Sequence, residues 1–385
     1  MTIARFFKKP IFADYRLLFS LFVVLALFIS IKYVFLATSN NYSIFYYALT
    51  HLRNGESMYN LYPQQYTDHY HYAPTFAAVF YPFFALPYKV GLFLWHFFFT
   101  AVWVYAVYRM PLQKKQKVFI YWYAIQELLT SIDNSQTNPL IAAIPLFAFV
   151  CFENKKPFWA AAFIMLGFNV KIYSLVTAGL FIIYPDKLKF IAYMLLWGVL
   201  YTILPILFTS PEKLYWQTEL WVKQLFIKSD VDKAINQSIH RLVHQILSPT
   251  ISNAAIVGVG VLFFCSVYYH AKRFVEEQFK MLLLASILIF HVIFNPVAES
   301  PTYIIAVTGV AIWWLFSPKT YVDLILLIGC YFFTILSPTD FVPAFVRQQW
   351  VIPFVLKALP CVLIWFRILY IVHFTTPLVP QKTIA

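Results

Sequence analysis

Long apolar runs separated by short polar connections recur along the whole chain. They fall at roughly 15–36, 73–87, 88–108, 117–132, 137–152, 157–170, 172–184, 188–208, 252–270, 278–294, 301–316, 321–336 and 350–372. Runs of this kind suit helices crossing a hydrocarbon core about 30 Å thick. No polar stretch is extensive enough to fold as a separate soluble domain, so the pattern predicts one integral membrane domain over 1–385, all-α and polytopic. Two longer loop regions interrupt it, at 37–87, which takes in the 73–87 run, and at 209–251. In the first, Tyr42, Phe45, Tyr46, Leu49 and Leu52 recur every three to four residues, which predicts an amphipathic helix lying on the outer surface and ended by Gly55.

Charge placement fixes the topology. If every run crosses and the N-terminus is inside, the basic loop "YRMPLQKKQK" falls outside, against the tendency of Lys and Arg to collect on the cytoplasmic side. The conflict disappears if 71–87, "HYAPTFAAVFYPFFALP", does not cross. Pro74, Pro82 and Pro87 suit a re-entrant or interfacial segment better than a span. About twelve crossings remain. The cytoplasmic side then holds Arg5, Lys8, Lys9 and Arg16, the connections with Arg109/Lys114/Lys115/Lys117, Lys155/Lys156, Lys187/Lys189, Lys272/Arg273/Lys280 and Lys319, and the tail with Arg367 and Lys382. The polar stretches 37–72, "TSIDNSQTN", the turn near Lys171, 209–251, "FNPVAESPT" and "SPTDFVPAFVRQQ" face the other side.

Composition agrees: 61% of residues are hydrophobic, 21% aromatic and 12% charged. The net charge of +13 belongs to the cytoplasmic loops and is no argument for nucleic acid. Cys151, Cys265, Cys330 and Cys361 lie in apolar runs without CxxC spacing, which predicts neither disulfides nor a metal site. The basic, apolar N-terminus has no small-residue cleavage site and reads as an uncleaved first span. There is no internal repeat, and the few glycines argue against a phosphate-cradling loop.

Chemistry gathers on the outer face. Charge at membrane depth is costly and marks candidate sites, with snorkelling as the alternative. Lys171, in "GFNVKIYSL", interrupts a long apolar stretch and suits a broken helix pair holding an anion at its tip. Glu299, between Pro296 and Pro301, could be a base, a partner for Lys171 or a helix-start acid. Asp133 and Asn134 open the polar turn "DNSQTN", which reads as a site wall; N-capping by Asp133, Ser135 or Asn138 explains part of it. His69 and His71 flank Asp68 without a third ligand at helical spacing. In "INQSIHRLVHQIL", His240 and His244 share a helix face beside Arg241, which suits an anionic lipid headgroup, with zinc or a plain interfacial helix as alternatives.

The stretches "NNYSIFYYALTHLRNGESMYN", "YHYAPTFAAVFYPFFALP", "NSQTNPLIAAI", "GFNVKIYSL" and "NQSIHRL", in this order, resemble the polyprenol-phosphate-mannose-dependent mannosyltransferases, glycosyltransferase family 87 of the GT-C superfamily. The likeness runs from about 14 to 320. It implies a GT-C-like helical fold and a metal-independent, cofactor-free hexosyltransferase. Such an enzyme moves a sugar, mannose by the family's name, from a polyprenyl-phosphate donor to a lipid or envelope glycan acceptor with inversion. It implies a bacterial inner membrane location with the active face non-cytoplasmic. A cation neutralises the single phosphate while a carboxylate takes the acceptor proton. On this likeness Lys171 is the phosphate anchor, and Gln136 and Asn138 line the donor side. The family's base is an Asp where this chain has Asn41, and an amide is no useful proton acceptor. Asp68, Glu299 and Asp133 are the substitutes, in that order. A polyprenyl-lipid or glycolipid transporter and a catalytically silent lipid-binding protein are the competing readings.

Overall fold

The computed structural model describes residues 10–231 and 236–375. Arg5, Lys8, Lys9 and Lys382, counted above as cytoplasmic, and positions 232–235 of the long loop lie outside the described residues. Among the described residues all regular structure is helical. The helices are α1 (Tyr15–Ile31), α2 (Asn40–Asn54), α3 (Pro74–Val79), α4 (Tyr81–Phe84), α5 (Tyr88–Arg109), α6 (Lys114–Asp133), α7 (Asn138–Glu153), α8 (Pro157–Val170), α9 (Lys187–Ile203), α10 (Pro211–Val231), α11 (Ile239–Ile246), α12 (Asn253–Ser266), α13 (Glu277–Ile293), α14 (Tyr303–Phe316), α15 (Tyr321–Gly329) and α16 (Leu359–Phe374).

Local sequence sets the ends. Asp14 caps α1 by accepting from the Arg16 N–H at 2.9 Å, and Gln113 and Gln116 close a reciprocal box at the start of α6. Gly55 follows α2 with φ +70°, a left-handed C-cap that a residue without Cβ adopts at little cost.

α13 and α14 form the centre, with almost every residue buried. They pack closely at Gly309, where a Cβ would stand 2.8 Å from Leu288 Cβ and 2.9 Å from the Ala285 carbonyl oxygen. α6 and α7 pack against α14, and α5 and α8 flank α7.

The chain is a helical membrane protein, but helix length alone does not deliver twelve crossings. Among the described residues four apolar helices reach at least 18 residues: Tyr15–Leu36, Tyr88–Arg109, Lys187–Leu207 and Asn253–His270. The remaining apolar helices are shorter, such as the 14 residues of α8, and at 1.5 Å per residue cover only about 21 Å. In the 71–87 stretch, α3 and α4 have 6 and 4 residues, together about 15 Å, far short of a crossing. Phe80 and Phe84 pack on Trp95 of α5, with ring centroids 5.3 and 5.6 Å away.

A helix covers the first amphipathic stretch, but its apolar face is turned inward. Tyr42, Phe45, Leu49 and Leu52 are buried, and Phe45 meets Phe76 of α3 at 5.0 Å between centroids. Periodicity identified the apolar face; the protein, rather than lipid, covers it.

Candidate functional site

The turn between α6 and α7 is built as a wall. Thr137 is the N-cap of α7 and makes no side-chain cap bond, so the capping explanation offered for Asp133, Ser135 and Asn138 does not hold at this end. The Asn134 amide instead donates back to the Thr130 carbonyl at 2.8 Å, finishing α6. Ser135 adopts φ +50°, a left-handed conformation unfavourable to a side-chain-bearing residue. Three neighbours hold it there. The Ser39 hydroxyl donates to Ser135 Oγ at 2.8 Å, His96 Nε2 lies 2.9 Å from the same oxygen, and the Trp95 indole N–H donates to the Ser135 carbonyl at 2.9 Å. His96 was missed in the sequence, although a histidine within "LFLWHFFF" is a visible signal. Ser135→Ala should strand the buried His96 and Ser39 groups and lower stability by roughly 1–3 kcal/mol, read as an earlier unfolding midpoint in detergent.

Lys171 lies where α8 stops. Its backbone is extended (φ −142°, ψ 114°), and a 3-10 run, Ile172–Ile183, begins immediately after it. The ammonium therefore sits at the carboxyl end of α8, the end a helix dipole makes favourable for a cation. Lys171 Nζ donates to Asn138 Oδ1 at 2.6 Å, Asn138 Nδ2 donates to Gln136 Oε1 at 2.5 Å, and Gln136 Nε2 donates to Glu299 Oε2 at 2.8 Å. Each amide accepts on its oxygen and donates from its nitrogen, so the series has one direction, from cation to carboxylate, and its members polarise one another. Glu299 precedes the short turn Ser300–Thr302 without making a side-chain cap bond there.

Lys171, Gln136 and Glu299 face a cavity of about 140 Å³. Asn41 and Asp68 line it too, as do the aromatic side chains of Tyr72, Tyr173 and Trp221. Nothing in the local sequence around Tyr173 and Trp221 marked them, because they come from separate elements. Burial, followed by the nearby Glu299 charge, pushes the Tyr72 hydroxyl above its ordinary pKa, so it stays protonated and able to donate. Asp68 is more open than Glu299: its side chain is 63% exposed and its Oδ1 accepts from the His69 N–H at 2.7 Å. His71 Nε2 lies 4.0 Å from that carboxylate.

Other expected residues lie elsewhere. Asp133 turns away from this cavity and pairs with Lys32 at 2.7 Å, and with Asn134 it faces a second space on the far side of the turn. Neither Asp133 nor Asn134 joins the residues around Lys171, because Ser135 reverses the chain between them and Gln136. His240 is fully buried, its Nδ1 2.9 Å from Asn253 Oδ1 and its Nε2 3.1 Å from the Phe294 carbonyl, so it ties α11 to α12 and α13. Burial lowers its pKa. His244 reaches the Ile251 carbonyl at 2.8 Å. Neither His240 nor Arg241 lines the cavity. Among the described residues no group of three or more His, Cys, Asp or Glu has the arrangement of a metal site.

Asn41 acts as a clasp, its Nδ2 donating to the Asn134 carbonyl at 2.8 Å. Asn41→Asp would place a carboxylate oxygen against that carbonyl. It should destabilise by about 1 kcal/mol, measured by thermal unfolding in detergent, without raising any turnover the protein has.

The arrangement sets a cation at one end of a cavity wall and a carboxylate at the other, with amides fixing both. That suits holding an anionic leaving group beside a group that accepts a proton. No curated protein matches the chain. The family model of glycosyltransferase family 87 matches residues 70–338, well over half the chain and including the Gln136–Asn138 turn, Lys171 and Glu299, while Asn41 and Asp68 precede the matched range. The chain therefore belongs to glycosyltransferase family 87 and is a membrane glycosyltransferase.

Proposed function

We propose that the protein transfers a hexose, mannose by its family likeness, from a polyprenyl-phosphate donor to a lipid or envelope glycan acceptor, with inversion. On this reading it does so on the outer face of a bacterial plasma membrane. The observation that carries the reading is the directed series from Lys171 through Asn138 and Gln136 to Glu299.

When the sugar is transferred from a polyprenyl-phosphate donor, the polyprenyl phosphate leaves as a phosphate monoester, so negative charge grows on the bridging oxygen as the bond to the anomeric carbon breaks. Lys171 meets that charge with an ammonium pre-set by Asn138, and a preorganised cation costs no reorganisation at the moment of reaction. Gln136, which faces the cavity with its amide held in one orientation by Asn138, fixes the sugar and phosphate oxygens, while Asn138 itself is fully buried behind it. Glu299 is the base in this account. Its Oε2 accepts from Gln136 at 2.8 Å, and the carboxylate removes the acceptor hydroxyl proton as that oxygen attacks the anomeric carbon. Tyr72, Tyr173 and Trp221 supply apolar faces against which a sugar ring packs.

Purified protein in nanodiscs, offered a panel of radiolabelled polyprenyl-phosphate hexoses with an envelope lipid extract as acceptor, tests the reading. Transfer of label from one of these donors is expected. Transfer that occurs only from nucleotide sugars would overturn it.

A further inference from the structure

Behind the turn, the second space is a cleft of about 710 Å³, lined by Phe28 of α1 and by Lys32 just after it, from α6 by Glu127 and Asp133, and from the C-terminal segments by Arg347 and Lys357. Its rim carries exposed apolar and charged side chains together. Phe28 and Phe341 on its rim are 69% and 82% exposed, while the Asp340 side chain at the top is 97% exposed.

Three ion pairs line it in order of depth. Arg347 pairs with Asp340 at 2.5 Å and Lys32 with Asp133 at 2.7 Å near the surface, and Lys357 with Glu127 at 2.8 Å below. Glu127 precedes Asp133 by six residues on α6, which sets it about 9 Å deeper. The Glu127 and Lys357 side chains are 1% and 2% exposed, and Lys357 Nζ lies 5.0 Å from the Tyr303 ring centre. One oxygen of this pair is unanswered: Glu127 Oε2 is buried and has no hydrogen-bond partner. A buried, half-satisfied carboxylate is costly and calls for a donor.

The wall selects the donor's chemistry. Each cation is matched by an acid, so a headgroup carrying only negative charge gains little. A headgroup with phosphate and ammonium finds a partner for each: Arg347 and Lys32 for the phosphate near the surface, and Glu127 Oε2 for the ammonium below. Apolar flanks at Phe28 and Phe341 leave room for acyl chains alongside. We propose that this cleft is a lateral binding site for a zwitterionic aminophospholipid of the outer leaflet, separate from the Lys171 cavity and independent of the transfer reaction proposed above.

Native mass spectrometry of the full chain in detergent, titrated with phosphatidylethanolamine or phosphatidylglycerol of identical acyl chains, tests the site. The ethanolamine lipid is expected to bind at least tenfold more tightly. The double substitution Glu127→Gln with Lys357→Met, which removes both buried charges together and so leaves neither unpaired, should bring the two lipids within twofold of each other. Should that variant fail to elute as a monodisperse species, Arg347→Gln with Asp340→Asn at the exposed rim should weaken the ethanolamine lipid severalfold instead. Equal affinities in the unaltered protein would overturn the proposal, because the glycerol headgroup brings hydroxyl donors without the cation. So would a folded double variant that keeps the preference, or a rim variant that binds unchanged.

Discussion

Lys171→Met is expected to abolish donor binding and turnover while the protein still inserts and elutes normally. Methionine keeps the length and apolar stem of lysine but has no charge to meet the leaving phosphate. Loss of a single preorganised charge donor typically costs about 10²–10³ in rate. Here ground-state binding should fall as well, because the proposed polyprenyl-phosphate donor carries negative charge before it reacts. Folding should tolerate the change: Lys171 is partly exposed, and the backbone bond from its N–H to the Gly167 carbonyl, 2.7 Å, does not depend on the side chain. Asn138 Oδ1 would lose its donor, which costs about 1 kcal/mol. Lys171→Arg should recover part of the binding, since charge is kept while the geometry toward Asn138 shifts. A direct binding assay with radiolabelled donor, run beside turnover, checks both variants.

Glu299→Gln should do the opposite: bind donor near normally and stop chemistry, lowering turnover by about 10²–10⁴. An amide in place of the carboxylate can still receive the Gln136 N–H on its oxygen, so the wall survives and only the proton acceptor is lost. Asp68→Asn is the contrast. That carboxylate lines the same cavity yet is 63% exposed and is bonded by its neighbour's backbone N–H, so its loss should change turnover only severalfold. The reverse result, with Asp68→Asn inert and Glu299→Gln active, would move the base to Asp68, the order first expected from sequence.

The parts legible in the sequence were local ones. A cation interrupting an apolar stretch announced the end of α8 at Val170, and the spacing of Tyr42, Phe45, Leu49 and Leu52 announced α2 and its apolar face. What covers a face is a tertiary fact, and so α2 was expected on lipid whereas it rests on Phe76 and its neighbours. The same limit applies to span counting, because buried helices inside a bundle need not be as long as lipid-facing ones. In the turn, residue types were informative and their directions were not. Asp133 and Gln136 stand three apart in sequence, yet the left-handed Ser135 between them sends one to Lys32 and the other to Glu299. The Gln136–Glu299 bond joins positions 163 apart, a separation no local pattern encodes. His240 was placed correctly on a helix, but its partners, Asn253 and the Phe294 carbonyl, make it a brace between elements.

The central claim is that one wall divides the work, Lys171 taking the leaving phosphate and Glu299 the acceptor proton. Single-turnover transfer of label from a polyprenyl-phosphate hexose, measured together with donor binding for the unaltered protein, Lys171→Met and Glu299→Gln, tests it most directly. The account predicts binding and transfer for the first, neither for the second, and binding without transfer for the third. Transfer by Lys171→Met at the unaltered rate, or undiminished transfer by Glu299→Gln, would contradict it.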